Sequence, residues 1–380
     1  MALLHLLAGQ GLRLSVATVD HGLRAEAVAE AAMVAATCAG LGLPHATLRW
    51  TDPGGPGNLS ARARAARYGL LRDWATGQGI GAVALGHTLD DQAETVLMRL
   101  ARGSGVDGLS GMSEARVDGG ILWLRPLLSQ RRGALRDWLQ ARGIGWVDDP
   151  TNDDPAYDRV KARQMLHLLT PLGISREGLA ETAQWMARAR EVLAAAAAAL
   201  ADTALRHEAG EIVIEADTYR AAADETRLRL LSAAICWIGG TAYRPRLATL
   251  MQVETSVLAG QARTLAGCLI SHRRGLIRVG REPQAVAGQV SSPDQIWDRR
   301  WRLVGPPAPD GAELRYLGEA GIALCPGWRD TGLPWTSVIA APALWQGNTL
   351  LAAPLVANPV DWALEPVRSP ADFARMLIAH

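Results

Sequence analysis

Three acidic residues and a histidine lie close together in the segment GHTLDDQAETVL, residues 86–97. Asp90 and Glu94 are four residues apart, so a helix would place both side chains on one face. Carboxylates grouped in this way suit Mg²⁺, which binds a few carboxylates together with phosphate oxygens, or the ammonium group of a substrate. We therefore interpret His87, Asp90, Asp91 and Glu94 as candidate catalytic residues, with Asp90 and Asp91 as candidate Mg²⁺ ligands.

The same segment also has a structural explanation. Thr88 can cap a helix, and Asp91, three residues later, can return the hydrogen bond. Acidic side chains in the first turn of a helix interact favourably with its dipole. A well-capped helix accounts for one or two of the acids, but not for a histidine that leaves a strand beside three carboxylates. We therefore favour the functional interpretation.

Short strands and helices alternate around this segment. The sequence predicts a strand over 12–22, a helix over 25–42, a strand over 45–50, a helix over 60–79 and a buried strand over 81–87. The acidic segment then begins another helix, which ends at a glycine. Such alternation indicates an α/β fold, in which a parallel sheet has helices on both faces. The stretches VDHG and GHTLDD follow strands, and ligands bind at the carboxyl ends of strands in such sheets.

The composition excludes several classes of protein. Of the 380 residues, 49% are hydrophobic and 20% are charged, and the net charge is +1. These values exclude a disordered chain and a histone-like basic protein. The four cysteines are far apart and form neither a CxxC metal pair nor a disulfide framework, which favours the reducing cytoplasm. The opening MALLHLLAGQ has no basic residue before its apolar run and is too short to span a membrane, so we predict no signal peptide.

Five motifs, in order and at about the expected spacing, resemble the N-terminal domain of the tRNA(Ile)-lysidine synthase family. They are VDHGLR (19–24), AARYGLL (65–71), GHTLDDQAETVLMRLARGSGVDGLSGM (86–112), RPLL (125–128) and DDPTNDDPAYDRVKAR (148–163). The last motif distinguishes this family from other N-type ATP pyrophosphatases. The resemblance implies an adenine nucleotide alpha-hydrolase-like fold over residues 1–170.

Beyond residue 170 the sequence predicts smaller parts. We expect a helical linker over 171–210, a small middle domain for tRNA recognition over 211–285, and an unassigned, Trp-rich C-terminal domain over 286–380. Within them the sequence predicts a long helix over 181–210, a helix over 227–240 and a hairpin over 267–282. We expect the C-terminal tryptophans to pack a small core rather than to stack on RNA bases.

The resemblance implies a reaction in two steps. ATP adenylates the 2-carbonyl oxygen of the wobble cytidine in the CAU anticodon of tRNA(Ile), and the ε-amine of L-lysine then displaces AMP to leave lysidine. Mg²⁺ would stabilise the charge on the departing pyrophosphate. By position, Asp20, His21 and Gly86 would contact ATP. His87, Asp90, Asp91 and Glu94 would supply the metal or lysine contacts.

The resemblance also implies residues that contact tRNA or phosphate. Arginine suits this role because a guanidinium group binds phosphate in a bidentate manner. Arg64 and Arg67 are alternatively part of a solvated helix face together with Arg62. The implied contacts are Arg64, Arg67, Asn152, Tyr157, Arg159 and Arg163.

Members of the family carry a Gly-rich SGGxDS loop between their first strand and first helix, and the helix after that loop reads like MALLHLL. Met1 therefore aligns just past the loop. We expect one of three explanations: a start codon placed too late, a trimmed chain or a degenerate protein. Without the loop, we expect this chain to bind ATP poorly. The intact motifs favour a late start.

Two other functions stay open. One is an inactive RNA-binding remnant. The other is a different tRNA-modifying ATP pyrophosphatase, such as a thiolation enzyme, which would need cysteines in the first domain, where only Cys38 lies. The sequence is also compatible with a homodimer.

Overall fold

The computed structural model describes residues 1–22, 26–51, 54, 58–147, 158–241, 243–357 and 361–378. Contacts within the chain divide it into two units, residues 1–190 and 191–380. The finer division into four domains stays a prediction.

The first unit alternates strands with helices, as the sequence predicts. Its helices are α1 (Ala2–Ala8), α2 (Glu26–Gly40), α3 (Leu59–Gly77), α4 (Leu89–Leu100), α5 (Val106–Leu109), α6 (Arg132–Gln140), α7 (Asp158–Leu169) and α8 (Arg176–Ala204), the last continuing into the second unit. Its strands are β1 (Val16–Asp20), β2 (His45–Arg49), β3 (Ala82–Ala84), β4 (Ala115–Asp118) and β5 (Ile121–Leu124).

These strands form two small sheets. β1 pairs in parallel with β2, and β3 pairs in parallel with β5, whose other side carries the antiparallel β4. The predicted α/β fold with parallel strands is therefore confirmed. β3 is shorter than predicted, although the backbone N–H of Leu85 still donates to Leu124 at 2.8 Å. His87 consequently lies beyond the strand, in the connection to α4.

The core of the first unit lies between α3 and the β3–β5 sheet. Leu71 and Ala75 on α3 pack with Val83, Ile121 and Trp123. Trp123 is completely buried, and its indole N–H donates to the carbonyl of Asp118 at 3.2 Å. Burying a large apolar side chain of this kind stabilises the fold by about 3 kcal/mol. This packing fixes α3 against the strands that end at the candidate site.

The second unit begins with an antiparallel sheet in the order β6-β7-β10-β9-β8. These strands are β6 (Leu205–Glu208), β7 (Glu211–Glu215), β8 (Arg263–Leu265), β9 (Cys268–Arg273) and β10 (Leu276–Arg281). Around them lie α9 (Ala216–Ala221), α10 (Asp224–Gly239) and α11 (Leu247–Leu258). The predicted hairpin over 267–282 and the predicted helix over 227–240 are both confirmed.

The predicted end of the long helix at Gly210 is wrong. α8 ends at Ala204, and β6 then pairs with β7 across a two-residue turn. Ala209 and Gly210, the turn residues, both have positive φ angles, 49° and 75°. Such values match a type I′ turn, whose twist suits a hairpin. Gly210 therefore closes a hairpin rather than a helix.

The remainder of the second unit holds a four-stranded sheet and a separate strand pair. The strands are β11 (Val290–Ser291), β12 (Trp301–Val304), β13 (Ala312–Tyr316), β14 (Pro342–Gln346), β15 (Thr349–Ala352) and β16 (Ala363–Pro366). The short helices are α12 (Pro283–Val286), α13 (Gly318–Ala323) and α14 (Trp335–Ile339), and the last helix is α15 (Pro370–Ile378).

Most C-terminal tryptophans are in the core, as predicted. Trp297, Trp301, Trp345 and Trp362 are each no more than 6% exposed, whereas Trp335 is 42% exposed. In the described ranges, no helix combines the length and the apolar character needed to cross a membrane.

Candidate active site

The N-terminus of α4 is closed by the predicted capping box. Asp91 Oδ2 accepts hydrogen bonds from the backbone N–H of Thr88 at 2.8 Å and from its hydroxyl at 2.7 Å. Asp91 Oδ1 lies 3.1 Å from a guanidinium nitrogen of Arg132 on α6. Burial alone would raise the pKa of Asp91, but the bonds from Thr88 and the charge of Arg132 lower it overall. Both carboxylate oxygens of Asp91 are thus engaged by the protein.

Asp90 is held in a similar way. Its Oδ2 accepts the backbone N–H of Arg132 at 2.7 Å, and its Oδ1 lies 3.2 Å from Nε of Arg176 on α8. In the described part of the chain, no group of three or more His, Cys, Asp or Glu side chains has the geometry to hold a metal ion. Mg²⁺ at Asp90 and Asp91 would therefore have to displace arginine contacts, and these residues do not fit the ion as they stand.

Glu94 differs from the two aspartates because one of its oxygens has no partner in the described part of the protein. Its side chain is 1% exposed, and Oε1 lies 2.9 Å from Nε of Arg163 on α7 and 3.9 Å from Arg132. Oε2 is buried and makes no hydrogen bond within the described residues. Burial raises the pKa of Glu94, against the opposing effect of Arg163. Buried carboxylate oxygens are normally hydrogen-bonded, so Oε2 is suited to accept a bond from a ligand.

His87 precedes the capping box and is kept neutral. Burial lowers its pKa to about 4, opposed by Asp91 and reinforced by the charges of Arg125, Arg67 and Arg159. Its Nδ1 is buried and has no hydrogen-bond partner among the described residues. At neutral pH the ring is therefore an uncharged imidazole in a site with several guanidinium groups.

The residues predicted to border ATP lie at the carboxyl end of β1. Asp20 is 4% exposed; its Oδ1 accepts the N–H of Gly22 at 2.9 Å and its Oδ2 lies 3.5 Å from Nε of Arg49. These bonds fix the turn after the strand and leave His21 at the wall of a cavity of about 1200 Å³. Asp20 itself does not line this cavity, whereas Gly86 does.

The cavity runs between β1 and β3, and both strands contribute to its walls. Arg67 lines it together with His21 and Gly86. Burial, followed by the charge of Arg67, lowers the pKa of His21, with Asp20 opposing. The structure thus brings one predicted phosphate contact and two predicted ATP contacts to the same space.

The other predicted phosphate contacts divide into three groups. Arg64 and Arg159 lie near Arg67, and repulsion from both contributes to the lowered pKa of Arg67 after burial itself. Arg163 instead pairs with Glu94. Asn152 and Tyr157 lie outside the described residues.

Sequence reasoning missed several residues that shape the site. Arg132 and Arg176 bind the two aspartates, and Tyr68 and Arg125 lie beside the arginines of α3. Arg125 stands in the motif RPLL and Tyr68 in AARYGLL, so their motifs were a signal. Arg132 and Arg176 carry no comparable signal, because pairing between distant helices leaves no local pattern.

Comparison with known proteins shows which family the chain resembles. The PP-loop domain family matches residues 1–169. A tRNA(Ile)-lysidine synthase from Ruegeria pomeroyi is 47% identical over 100% of this chain and 91% of that protein. Another from Mesorhizobium japonicum is 33% identical over 97% of this chain and 83% of that protein.

Among solved structures, a U34-tRNA thiolase from Methanococcus maripaludis aligns with a TM-score of 0.42 and 15% identity, over 49% of this chain and 67% of that chain. A similarity this low supports no conclusion. The PP-loop match implies that the protein uses ATP. On the similarity to relatives over nearly its whole length, the chain belongs to the tRNA(Ile)-lysidine synthase family.

Proposed function

We propose that this protein modifies the wobble cytidine of the CAU anticodon of tRNA(Ile), with ATP and L-lysine as its other substrates. The observation that carries the proposal is the buried oxygen Oε2 of Glu94, which has no hydrogen-bond partner among the described residues. An ammonium group supplies the donor that this oxygen needs. Family membership supports tRNA(Ile) as the substrate, and the site supports a cationic second substrate.

The three acids have different roles in this proposal. Asp90 and Asp91 have their oxygens occupied by Thr88, Arg132 and Arg176, so they hold the first turn of α4 in place. Glu94 binds the substrate amine and takes its proton before attack. Its pKa, raised by burial, favours this proton uptake.

The lysine step is a displacement of AMP from C2 of the cytidine. The lysine Nζ forms a bond to C2 of the adenylated cytidine, the C2–O bond to AMP breaks, and AMP leaves with the electron pair. The neutral imidazole of His87 does not repel the incoming ammonium, because its pKa of about 4 keeps it uncharged. Asp20 would fix the turn that presents His21 to the adenosine.

The remaining expectations rest on the resemblance. Mg²⁺ beside the pyrophosphate, tRNA contacts by Asn152, Tyr157 and Arg159, and a homodimer stay predictions. Four free cysteines, all buried, are consistent with a reducing compartment, and we expect the protein to work in the cytoplasm with its tRNA. Because all four cysteines are buried, none of them offers the accessible thiol that the alternative thiolation function would need.

The test separates the two steps of the reaction in the full-length enzyme. Glu94→Gln should leave tRNA adenylation, measured without lysine, within a few-fold of normal, and slow lysine transfer on the order of a hundredfold. Glu181→Gln, an exposed change on α8, is the matched control. Equal losses in both steps, or normal lysine transfer, would contradict the role given to Glu94.

A further inference from the structure

The hydroxyl of Tyr68 lies between two guanidinium groups. On α3, Arg64 donates to the hydroxyl oxygen from Nη2 at 3.3 Å, and Arg125, just after β5, donates from Nη2 at 3.4 Å. The tyrosine ring is fixed against the fully buried Trp123, with ring centroids 4.7 Å apart. The hydroxyl is therefore held in position by the core of the first unit.

The hydrogen bonds of this hydroxyl leave its own proton unused. A tyrosine hydroxyl can accept two hydrogen bonds and donate one. Both acceptor positions of Tyr68 are taken by arginines, and the O–H finds no acceptor within the part of the chain that the structure describes. An acceptor atom of a ligand would complete this set.

The surrounding charges indicate which kind of acceptor is missing. Arg125 is 4% exposed, and Nη1 donates to the carbonyl of Ser113 at 2.8 Å. Among the described residues, its buried Nε has no hydrogen-bond partner and no carboxylate pairs with its guanidinium group. Buried charges are normally paired, because an uncompensated one is costly.

The arginines also repel one another. Burial, followed by the charges of Arg159, Arg125 and Arg116, lowers the pKa of Arg64, with Tyr68 opposing. Such a group of like charges is stabilised by an anion that accepts several hydrogen bonds, and a phosphate group meets both requirements.

We propose that the hydroxyl of Tyr68 and the guanidinium of Arg125 bind a phosphate group of a substrate. This inference rests on the proposed function, which offers two phosphate sources, ATP and the tRNA backbone. Tyr68 donates its hydroxyl proton to a phosphate oxygen, and Arg125 supplies the Nε–H. Trp123 keeps the ring in the required orientation.

The test measures binding without turnover, in two arms. ATP is titrated without tRNA, and the CAU tRNA is titrated without ATP, each with the full-length enzyme carrying Tyr68→Phe. Phenylalanine keeps the ring on Trp123 and removes only the hydroxyl. A hydrogen bond to a charged group predicts affinity about tenfold weaker in the arm that holds the phosphate. The affected arm identifies the source, and affinities within twofold of normal in both arms would overturn the proposal.

Two further variants complete the experiment. Arg125→Met should weaken the same arm and, if that arm is tRNA, reduce the slope of log affinity against log salt by about one phosphate contact. Arg72→Met, on α3 but paired with Asp118, removes the same charge and should leave both arms unchanged. Glu94→Gln should bind phosphate normally, so a failure of the lysine site and a failure of the phosphate site give different results.

Discussion

Arg163 binds one oxygen of Glu94, Nε to Oε1 at 2.9 Å, and the other oxygen of that carboxylate has no donor among the residues that the structure describes. The pair connects α7 to α4 across 69 residues of sequence. The positive charge of Arg163 offsets the negative charge of the buried Glu94 carboxylate, while one oxygen of that carboxylate remains available to a ligand.

Removing this arginine should destabilise the protein more than removing the acid. Arg163→Ala leaves Glu94 buried with less compensating charge, and we expect the free energy of unfolding to fall by about 3 kcal/mol. Adding Glu94→Gln should restore much of that loss, because no charge then remains buried. Urea unfolding of both single variants and the double variant measures the coupling. Additive losses would show that the pair is not energetically linked.

Asp91→Asn tests the capping aspartate. Asparagine keeps an oxygen for Thr88 but loses the charge that faces Arg132, so stability should change by less than about 1 kcal/mol. We expect lysidine formation to fall on the order of a hundredfold, because Arg132, which also lies 3.9 Å from Glu94, loses the charge that positions it. Asp91→Ala, which also removes the cap, should add a clear loss of melting temperature. Normal turnover of Asp91→Asn would reduce this residue to a helix cap.

His87 should make stability depend on pH on the acid side. Its ordinary pKa of 6.5 applies to the unfolded chain, and burial lowers the folded value to about 4. Between these values the unfolded state binds the proton more readily, so the contribution of His87 to stability decreases as pH falls below about 6.5. At pH 5 the loss relative to pH 8 is about 2 kcal/mol. His87→Gln should flatten this part of the profile of unfolding free energy against pH, whereas parallel profiles would contradict the burial of the ring.

The cysteines should be unreactive in the folded protein. All four are buried, and burial raises their pKa values, that of Cys268 to about 12. Because the thiolate is the reactive form, a thiol reagent at pH 8 should modify none of them quickly. In guanidinium chloride all four should react, which provides the internal control. Rapid labelling of Cys38 in the native protein would reopen a thiol-based reaction for the first unit.

The sequence predicted the local parts of this structure well. The alternation of strands and helices in the first unit and the Thr88–Asp91 capping box depend on residues a few positions apart, and the structure confirms both. The predicted end of the long helix was wrong because glycine is common both after helices and in tight hairpin turns. The antiparallel pairing of β6 with β7, which places Glu208 opposite Glu211, decides between these conformations.

The partners of the acidic residues could not be predicted in this way. Arg132, Arg163 and Arg176 come from three helices, and nothing in the spacing of GHTLDDQAETVL indicates which cations will approach it. The prediction of a metal at Asp90 and Asp91 took their oxygens to be available. Which oxygens remain available is a property of tertiary packing, since α6, α7 and α8 supply the competing groups.

The pairing of α4 with three later helices has a consequence for the order of folding. Arg132, which pairs with Asp91, lies 41 residues further along the chain, and Arg163, which pairs with Glu94, lies 69 residues further than that acid. Contacts of such sequence separation form late and slow the search for the native state. During synthesis on the ribosome, Asp91 can meet its arginine once residue 132 has emerged and Glu94 once residue 163 has emerged, whereas Asp90 meets its arginine only once residue 176 has emerged. The set of arginine contacts around the N-terminus of α4 is therefore completed only after the start of α8 has been made.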